Sequence, residues 1–525
     1  MRQGRVASIT RGLLTTAGLC VVFSCLTIGN VWGQGSLSSS MIRQMGLTRM
    51  WQTRIDFDRS RSRMSGVYMY VSPTKVYAVF EIPYDGMILR FSERDLDAYG
   101  KQIGAAEAKV KATDKLAEIK AEIAAGGNKV PVPKLETHIV PEISIYAASE
   151  SGTIQAIDGE TGQTRWTISV GNPDYPTSAP GANDTYVAVI NGSRLYVIKA
   201  DDGTIAYQRQ TASAPAAGPG VTGSFIYVPG VTGAIESFEV EKPTYPTKTF
   251  FSNGRTLLQP IATEGTAAWT TDKGVLYSAN GRTPGLRFRL QLPGGCVTPP
   301  AFLYPDRLIV ASDNGHLYCT NEVRGTVQWR LSTGESTSRP PFAIENTAYL
   351  MTDDGGLFAI DGTSGKEKWW ISGIHGFLAG TKERLYLTDL HGNVVVIASA
   401  TGANLGVIPV AGVDVRYSNM LTDRILVGNS TGTLSLFREV SRTWPLVHRW
   451  DEKADRPADA VFKPAGEGEG DPGGQPMPLG NEGLPDPFGG PAVDPFGAGG
   501  DDPPAAAPMP MPAPAPAGED FDPFK

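Results

Sequence analysis

The stretch that decides the fold is residues 151–166, SGTIQAIDGETGQTRW. Alternating apolar residues at 153–158 predict a strand, the Asp-Gly and Thr-Gly pairs that follow predict a tight turn, and a second strand ends at Trp166. The glycine that opens this hairpin, Gly152, recurs at intervals of 37 to 41 residues, as Gly192, Gly233, Gly274, Gly315, Gly355, Gly392 and Gly432. Eight marks at one period predict a chain built from repeats of about 40 residues.

Each repeat contains three clear strands, and a weaker fourth is predicted at tripeptides such as 178–180, 298–300 and 339–341. A four-stranded antiparallel sheet has two apolar faces, and radial stacking of such sheets buries both. The sequence therefore predicts an all-β fold, an eight-bladed β-propeller of four-stranded antiparallel blades. We expect it to span residues 36–450, with the clear repeats at 140–440; Gly86 leaves a ninth, irregular hairpin open.

One segment departs from the strand pattern. Residues 101–126 are rich in Ala, Lys and Glu with apolar residues at helical spacing, which predicts a helical insertion. We favour a surface insertion that packs on a strand edge; an element that docks on a partner is the alternative. Two segments compete to complete the last repeat: a strand around Trp51 near the N-terminus, or residues 445–450. We favour the Trp51 strand, because it would tie the N-terminus to the last blade.

The two ends differ in composition from the repeats. Residues 1–33 combine arginines with a 16-residue apolar run and small residues, which predicts a cleaved signal peptide and export; lipidation at Cys25 is the alternative. Residues 451–525 carry a net charge of −11, against −7 for the whole chain, and their Pro, Gly and Ala content predicts a disordered acidic tail. Asp-Pro-Phe occurs there three times, so Phe488, Phe496 and Phe524 are candidate docking residues.

Two cysteines, Cys296 and Cys319, lie outside the signal region. The repeat register places them in strands two apart, farther than the roughly 7 Å between Cα atoms that a disulfide allows. The sequence predicts two free thiols that fill apolar space.

The hairpins at 157–166 (IDGETGQTRW) and 360–369 (IDGTSGKEKW) resemble the repeats of pyrroloquinoline-quinone-type propellers, and 321–329 is a weaker copy. In that family the tryptophan of the last strand docks against the neighbouring blade. The resemblance implies this role for Trp166, Trp329 and Trp369, with Tyr207 and Phe288 as substitutes. It covers roughly residues 140–440 and implies the fold more strongly than any activity, because structural and enzymatic members share it.

Quinoprotein dehydrogenases of this type add an acidic base, calcium ligands and often adjacent cysteines. The chain has no adjacent cysteines and no haem-attachment motif. Asp158 and Asp361 are the obvious candidate acids, but both lie in Asp-Gly turns, where such side chains bond their own backbone. The segment 362–366, GTSGK, lacks the spacing of a phosphate loop.

Five histidines are scattered without a local zinc motif; His316 and His391, which flank repeat glycines, are interpreted as residues of hairpin turns. We therefore predict no catalytic residue, no cofactor and no metal ligand. The nearly balanced charge of the repeats also argues against nucleic acid as a partner.

These observations favour a non-catalytic exported propeller that serves as a protein-interaction scaffold in a bacterial cell envelope, most similar to the BamB-type scaffolds of outer-membrane protein assembly. Its partners would be other envelope proteins, contacted through the propeller faces or the tail, and membrane association would depend on the signal or on lipidation at Cys25. The alternatives are a quinoprotein dehydrogenase that binds pyrroloquinoline quinone and calcium, and a propeller that senses a small ligand.

Overall fold

The computed structural model describes residues 36–37, 39–84, 87–126 and 132–448. The predicted signal peptide, Cys25, Gly86 and the predicted tail with its three phenylalanines lie outside the described residues. The described part begins with strand β1 (Ser36–Leu37), helix α1 (Ser39–Gln44) and strand β2 (Leu47–Arg54). Helix α1 was not predicted from the sequence.

The first large sheet, sheet 1, has five strands in the order β4-β3-β5-β6-β7. Its elements are β3 (Met64–Tyr84), β4 (Met87–Ser92), helix α2 (Gly104–Gly126), β5 (Glu136–Ser149), β6 (Thr153–Asp158) and β7 (Thr164–Ser169). All neighbouring strands are antiparallel.

Six further sheets follow along the chain, each with four antiparallel strands in sequence order. Sheet 2 is β8 (Gly181–Ala182), β9 (Tyr186–Asn191), β10 (Arg194–Lys199) and β11 (Ile205–Gln210). Sheet 3 is β12 (Gly220–Val221), β13 (Phe225–Pro229), β14 (Ala234–Glu239) and β15 (Lys248–Phe251). Sheet 4 is β16 (Ile261–Ala262), β17 (Thr266–Thr270), β18 (Val275–Asn280) and β19 (Leu286–Gln291).

Sheet 5 is β20 (Ala301–Leu303), β21 (Arg307–Ser312), β22 (His316–Asn321) and β23 (Val327–Ser332). Sheet 6 is β24 (Phe342–Ile344), β25 (Thr347–Met351), β26 (Leu357–Asp361) and β27 (Glu367–Ile371). Sheet 7 is β28 (Gly376–Gly380), β29 (Arg384–Thr388), β30 (Val394–Ala398) and β31 (Asn404–Ile408). Strand β32 (Val410–Ala411) pairs with β1.

Sheet 8 joins the two ends of the described chain. It contains β33 (Val415–Arg416), β34 (Ile425–Asn429) and β35 (Thr433–Glu439), and β2 from the N-terminus forms its outer strand. In this pairing Trp51 lies opposite Leu436. The prediction that the Trp51 strand completes the last repeat is confirmed.

The hydrophobic core is divided among the interfaces between consecutive sheets. Buried apolar side chains of sheets 1 and 2 form one cluster, and each following pair up to sheets 7 and 8 forms another. A further cluster joins Leu426 and Leu434 of sheet 8 to Met69 and Ile143 of sheet 1. Because every sheet packs against two neighbours, the ring is closed and the predicted propeller fold is confirmed.

The sequence misplaced the first strand of several sheets. The predicted strands at 178–180, 298–300 and 339–341 are not strands: each tripeptide ends immediately before one, β8, β20 or β24. Each tripeptide contains proline, which has no N–H to donate to a neighbouring strand. The strands therefore begin only after the prolines.

Sheet 1 also departs from the predicted four strands. Strand β3 runs without interruption through a register shift between Val71 and Val76, and beyond that shift it pairs with both β4 and the first half of β5. Helix α2 covers one face of this extension, where Ala108, Ala112 and Ile119 pack against Phe80 and Ile82. The helix within the predicted insertion thus lies on an extra three-stranded layer that extends sheet 1.

Cys296 and Cys319 are buried free thiols, as predicted. Cys319 lies in β22, and Cys296 precedes β20 rather than opening it. Burial raises the pKa of each thiol to about 12, so both remain protonated. Among the described residues, we find no helix with the length and apolar character needed to cross a membrane.

Candidate functional site

Seven of the repeat glycines occupy the turns between the second and third strands of their sheets, and Gly152 occupies the equivalent turn of sheet 1, between β5 and β6. Their φ angles are all positive, from 62° at Gly192 to 97° at Gly432. At Gly274 an added Cβ would lie 1.9 Å from the carbonyl oxygen of Gly294, in the segment that follows the outer strand of the same sheet. Both the left-handed backbone and this close approach require glycine. The period in the sequence is therefore the period of one tight turn.

The tryptophans of the outer strands link one sheet to the next. Each donates its indole N–H to a main-chain carbonyl of the following sheet: Trp166 to Ala200 at 2.8 Å, Trp329 to Gly362 at 2.8 Å and Trp369 to Ser399 at 2.9 Å. Each indole also lies on a turn glycine of that sheet, Gly203, Gly365 or Gly402, where a Cβ would approach the ring to 2.6–2.8 Å. These contacts make the ring stiff, because each sheet is both packed and hydrogen-bonded to its neighbour.

Two aromatic residues take the same position without an indole. The hydroxyl of Tyr207 donates to the carbonyl of Glu239 at 3.3 Å, and the ring of Phe288 covers Gly325.

The longer connections lie at the end of the sheets away from the turns that the tryptophans cover, which is also the end of the repeat glycines. In a four-stranded antiparallel sheet, the turn between strands two and three and the connection after strand four lie at the same end. We call this end the loop face; it comprises the turns 150–152, 191–193, 230–233, 271–274, 312–315, 352–356, 389–393 and 429–432 and the connections 55–63, 170–180, 211–219, 252–260, 292–300, 333–341, 372–375 and 409–414. Main-chain hydrogen bonds tie turn to connection, as from the N–H of Leu292 to the carbonyl of Gly274 at 2.8 Å.

The loop face exposes large apolar side chains, including the last residue of β15. Seven of these side chains are 41–84% exposed: Tyr175, Val231, Phe251, Leu257, Leu258, Val297 and Leu390. Phe251 is the most exposed of them. Apolar side chains presented on loops that a rigid frame holds in place are typical of protein-binding surfaces.

A cleft of about 530 Å³ opens on the loop face between sheets 6, 7 and 8. Arg339, His375, Asp389, His391 and Arg416 contribute its polar lining. Arg339 donates to the backbone carbonyl of His375, and its Nη2 lies 2.8 Å from Nδ1 of the same histidine. Arg416 donates to the carbonyl of Gly392 at 3.4 Å.

The ionisation of the cleft follows from these contacts. Burial and the neighbouring charge of Arg339 lower the pKa of His375, so its imidazole is neutral at pH 7 and Nδ1 accepts the hydrogen bond. Burial opposes the ionisation of Asp389, but hydrogen bonds from Asn393 outweigh it and lower the pKa of the carboxyl. The cleft thus presents two guanidinium groups and one carboxylate, an arrangement suited to hydrogen-bonding polar or acidic groups of a bound chain.

The carboxylates of Asp158 and Asp361 accept hydrogen bonds within their own turns. The Oδ1 atom of Asp158 accepts hydrogen bonds from the backbone of Glu160 and Thr161, and Oδ1 of Asp361 accepts them from Thr363 and Ser364. Burial opposes ionisation of Asp158, but its bonds to Arg165 lower the pKa; the backbone and hydroxyl of Ser364 lower that of Asp361. A carboxylate with a lowered pKa is a weaker base, which disfavours both residues as catalytic bases.

The other histidines also have structural surroundings. His316 lies at the start of β22 with Nδ1 2.9 Å from Oδ1 of Asn314, and His391 is exposed in its turn. His448 is buried, and burial lowers its pKa to about 4. Segment 362–366 forms the turn between β26 and β27.

The sequence did not predict a buried charge cluster at the junction of sheets 8 and 1. Arg424 is fully buried, 3.4 Å from Asp423 and 3.7 Å from Glu160 of the IDGETG turn. Residues 440–448, which we call the closing segment, cover the cluster: Arg424 donates to the carbonyl of Thr443 at 2.8 Å, and Asp423 accepts from the backbone of Leu446 at 3.0 Å. Burial raises the pKa of both Glu160 and Asp423.

Comparisons with known proteins agree with this architecture. The family model described as outer membrane protein assembly factor BamB matches residues 134–234 and 239–370. The outer membrane protein assembly factor BamB of Yersinia pestis is 20% identical over 280 residues, which cover 50% of this chain and 63% of that protein. The chain therefore matches less than two thirds of the length of this relative.

Two solved structures are also similar. BamB from Moraxella catarrhalis aligns with a TM-score of 0.45 and 16% identity over 56% of this chain and 91% of its own. The computationally designed protein Ika8 aligns with a TM-score of 0.44 and 14% identity over 56% of this chain and 93% of its own. The match to the family model does not depend on these two structural alignments, because it compares the repeat sequences. Over residues 134–234 and 239–370 the chain is similar to the pyrroloquinoline-quinone-like repeat proteins of the BamB type.

Proposed function

We propose that this chain is an exported, non-catalytic propeller that holds other envelope proteins through its loop face. The observation that carries the proposal is the set of exposed apolar side chains on that face, led by Phe251 at 84% exposure. A rigid ring keeps these side chains in fixed relative positions, so the scaffold loses little conformational freedom when a partner binds.

The relative from Yersinia pestis is named as an assembly factor for outer membrane proteins, which supports a partner in the cell envelope. The cleft adds polar specificity at one sector of the face. Arg339 and Arg416 would hydrogen-bond acidic or amide groups of the partner, while Leu390, 73% exposed beside the cleft, would provide apolar contact. Asp158 and Asp361, the acids best suited by sequence to serve an enzyme, are occupied in turns, which favours binding over catalysis.

The test is photo-crosslinking in cells that export the full-length protein. A photoreactive residue replaces Phe251 or Leu258 on the loop face, and Tyr99, which is 96% exposed in the extension of sheet 1, serves as the matched control. We expect discrete adducts with envelope proteins from the two loop-face positions and none of the same adducts from position 99. Adducts that are equal at all three positions, or absent from the loop face, would contradict the proposal.

The predicted tail adds a second proposal, that Phe488, Phe496 and Phe524 dock on partners. Deleting residues 451–525 should then weaken co-purification of the crosslinked partner while the Phe251 adduct still forms.

For the enzyme alternative, the purified protein is titrated with pyrroloquinoline quinone and calcium. Stoichiometric binding with turnover of an alcohol would replace the scaffold proposal.

A further inference from the structure

Two acidic residues and a histidine meet on the extension of sheet 1. In the β3–β5 pairing Glu81 lies directly opposite Glu136, and Val79 lies opposite His138. Side chains alternate along a strand, so Glu81, Glu136 and His138 share one face of the sheet, while Phe80 and Ile82 point to the other face, under helix α2.

The donor atoms of these three residues converge. The Nε2 atom of His138 lies 3.3 Å from Oε2 of Glu81 and 3.7 Å from Oε2 of Glu136, and one donor atom from each residue lies within 4.8 Å of the other two. Bonds of about 2.0–2.2 Å to a tetrahedral metal place two ligand atoms roughly 3.3–3.6 Å apart. The two distances from Nε2 of His138 are close to this spacing, and small side-chain movements would bring all three donor atoms around one ion.

The hydrogen bonds around the group leave these atoms available. Oε1 of Glu81 accepts a hydrogen bond from Nε of Arg90 at 2.5 Å, which turns Oε2 toward His138. The Nε2 atom of His138 is buried and makes no hydrogen bond with any described residue. Two carboxylates directly opposite each other repel, and Arg90 bonds only Oε1 of Glu81, whose side chain is 7% exposed, so a second cation beside Oε2 is favoured.

Neighbouring side chains hold the group in place, as outer partners of metal ligands do. The ring of Trp444, from the closing segment, lies 5.7 Å from that of His138, and the guanidinium of Arg90 lies 5.3 Å from the Trp444 ring. The group therefore sits where the extension of sheet 1 meets the segment that covers the ring closure.

We propose that Glu81, Glu136 and His138 bind one divalent transition-metal ion, with Zn²⁺ the best match to one imidazole and two carboxylates. Glu136 is 55% and His138 34% exposed, so solvent reaches the site and water would complete the coordination. The ion would link β3 to β5 at their last residue pair, the end of the pairing farthest from the register shift. No local sequence motif predicts this site, because Glu81 and Glu136 are 55 positions apart in the sequence, with α2 between them.

The test uses the full-length exported protein, stripped of metal by a chelator and then titrated with ZnCl₂ in competition with a chromophoric chelator. We expect one equivalent of bound zinc and a zinc-dependent rise in Tm. Glu136→Gln and His138→Gln should each weaken binding at least tenfold and abolish the rise in Tm, whereas His316→Gln should bind as the parent does. Both altered side chains are partly exposed, and circular dichroism checks that the variants fold.

Cobalt provides an independent readout of coordination. Co²⁺ bound to the parent should show absorption bands of a four- or five-coordinate ion, and His138→Gln should lose them. If the stripped protein binds no stoichiometric zinc, or if all three variants bind it equally, only an adventitious ion is present and the proposal fails.

Discussion

The indole N–H of Trp51 donates to the carbonyl of Gly159 at 2.9 Å, although 108 residues separate them along the chain. Trp51 lies on the N-terminal strand of sheet 8, and Gly159 lies in the turn between β6 and β7 of sheet 1. The ring of Trp51 also covers Gly162 of the same turn. The same contact that joins other sheets of the ring thus closes it between the last sheet and the first.

We expect Trp51→Phe to lower the free energy of unfolding by about 1–3 kcal/mol, because the buried carbonyl of Gly159 loses its donor. Urea unfolding of the exported protein, followed by circular dichroism, measures the change. Trp370→Phe is the matched control, since that indole is 48% exposed and should change stability by less than about 0.5 kcal/mol. Equal effects of the two substitutions would contradict a closing role for Trp51.

Arg424 is expected to be essential for the junction of sheets 8 and 1. Arg424→Met leaves the carboxyl of Asp423 buried without its partner, and breaking a buried ion pair in this way costs about 3–5 kcal/mol. The double variant Asp423→Asn with Arg424→Met should lose clearly less than the sum of the single losses, because the charge of Asp423 is removed together with that of its partner. Arg289→Met, at an exposed position on β19, is the control.

The outcome is measured by urea unfolding at pH 7. Additive losses in the double variant would show that Arg424 acts by packing alone and that its charge is not coupled to Asp423.

The pH dependence of stability should report Glu160. Burial raises its pKa in the folded protein, so between the unfolded pKa and the folded pKa the folded state binds more protons. This contribution to stability is fully present below the unfolded pKa and is lost as the pH rises through the folded pKa. Glu160→Gln removes the ionisation, so its stability relative to the parent should increase with pH.

The slope of that difference has a limit of about 1.4 kcal/mol per pH unit. Unfolding at several values between pH 5 and pH 8 measures it, with Glu107→Gln on the exposed face of helix α2 as the control. A difference between Glu160→Gln and the parent that does not vary with pH would contradict the raised pKa.

The repeat turns explain why the fold could be predicted from sequence. A turn with a positive φ favours glycine, because glycine adopts that backbone angle at little cost. The eight repeat turns therefore account for the eight glycines at one period, from Gly152 to Gly432. The bulge between Val71 and Val76 left no comparable mark, and the residues on both sides of it form one long strand, β3. Helix α2 was visible from its composition, but the layer beneath it was not.

The candidate site was less predictable. Arg339 lies in the connection before sheet 6, His375 in the connection before sheet 7 and Arg416 in β33 of sheet 8. None belongs to a local motif, so only the packing of consecutive sheets brings them into one cleft. The apolar side chains of the loop face lie mostly in the turns and connections, where a pattern of alternation does not single them out. Asp158 could be assigned to a turn because the Asp-Gly pair specifies its backbone partners.

The last prediction concerns the repeat glycine itself. Gly274→Ala should destabilise the protein by more than about 1 kcal/mol, since φ is 73° and the new Cβ would meet the carbonyl oxygen of Gly294. Gly265→Ala is the matched control in the same sheet: its φ is not in the left-handed region, nothing lies within 4 Å of the added Cβ, and the change should be neutral or stabilising by up to about 1 kcal/mol. Thermal and urea unfolding distinguish the two variants, and a tolerated Gly274→Ala would show that the period of the glycines has a cause other than backbone geometry.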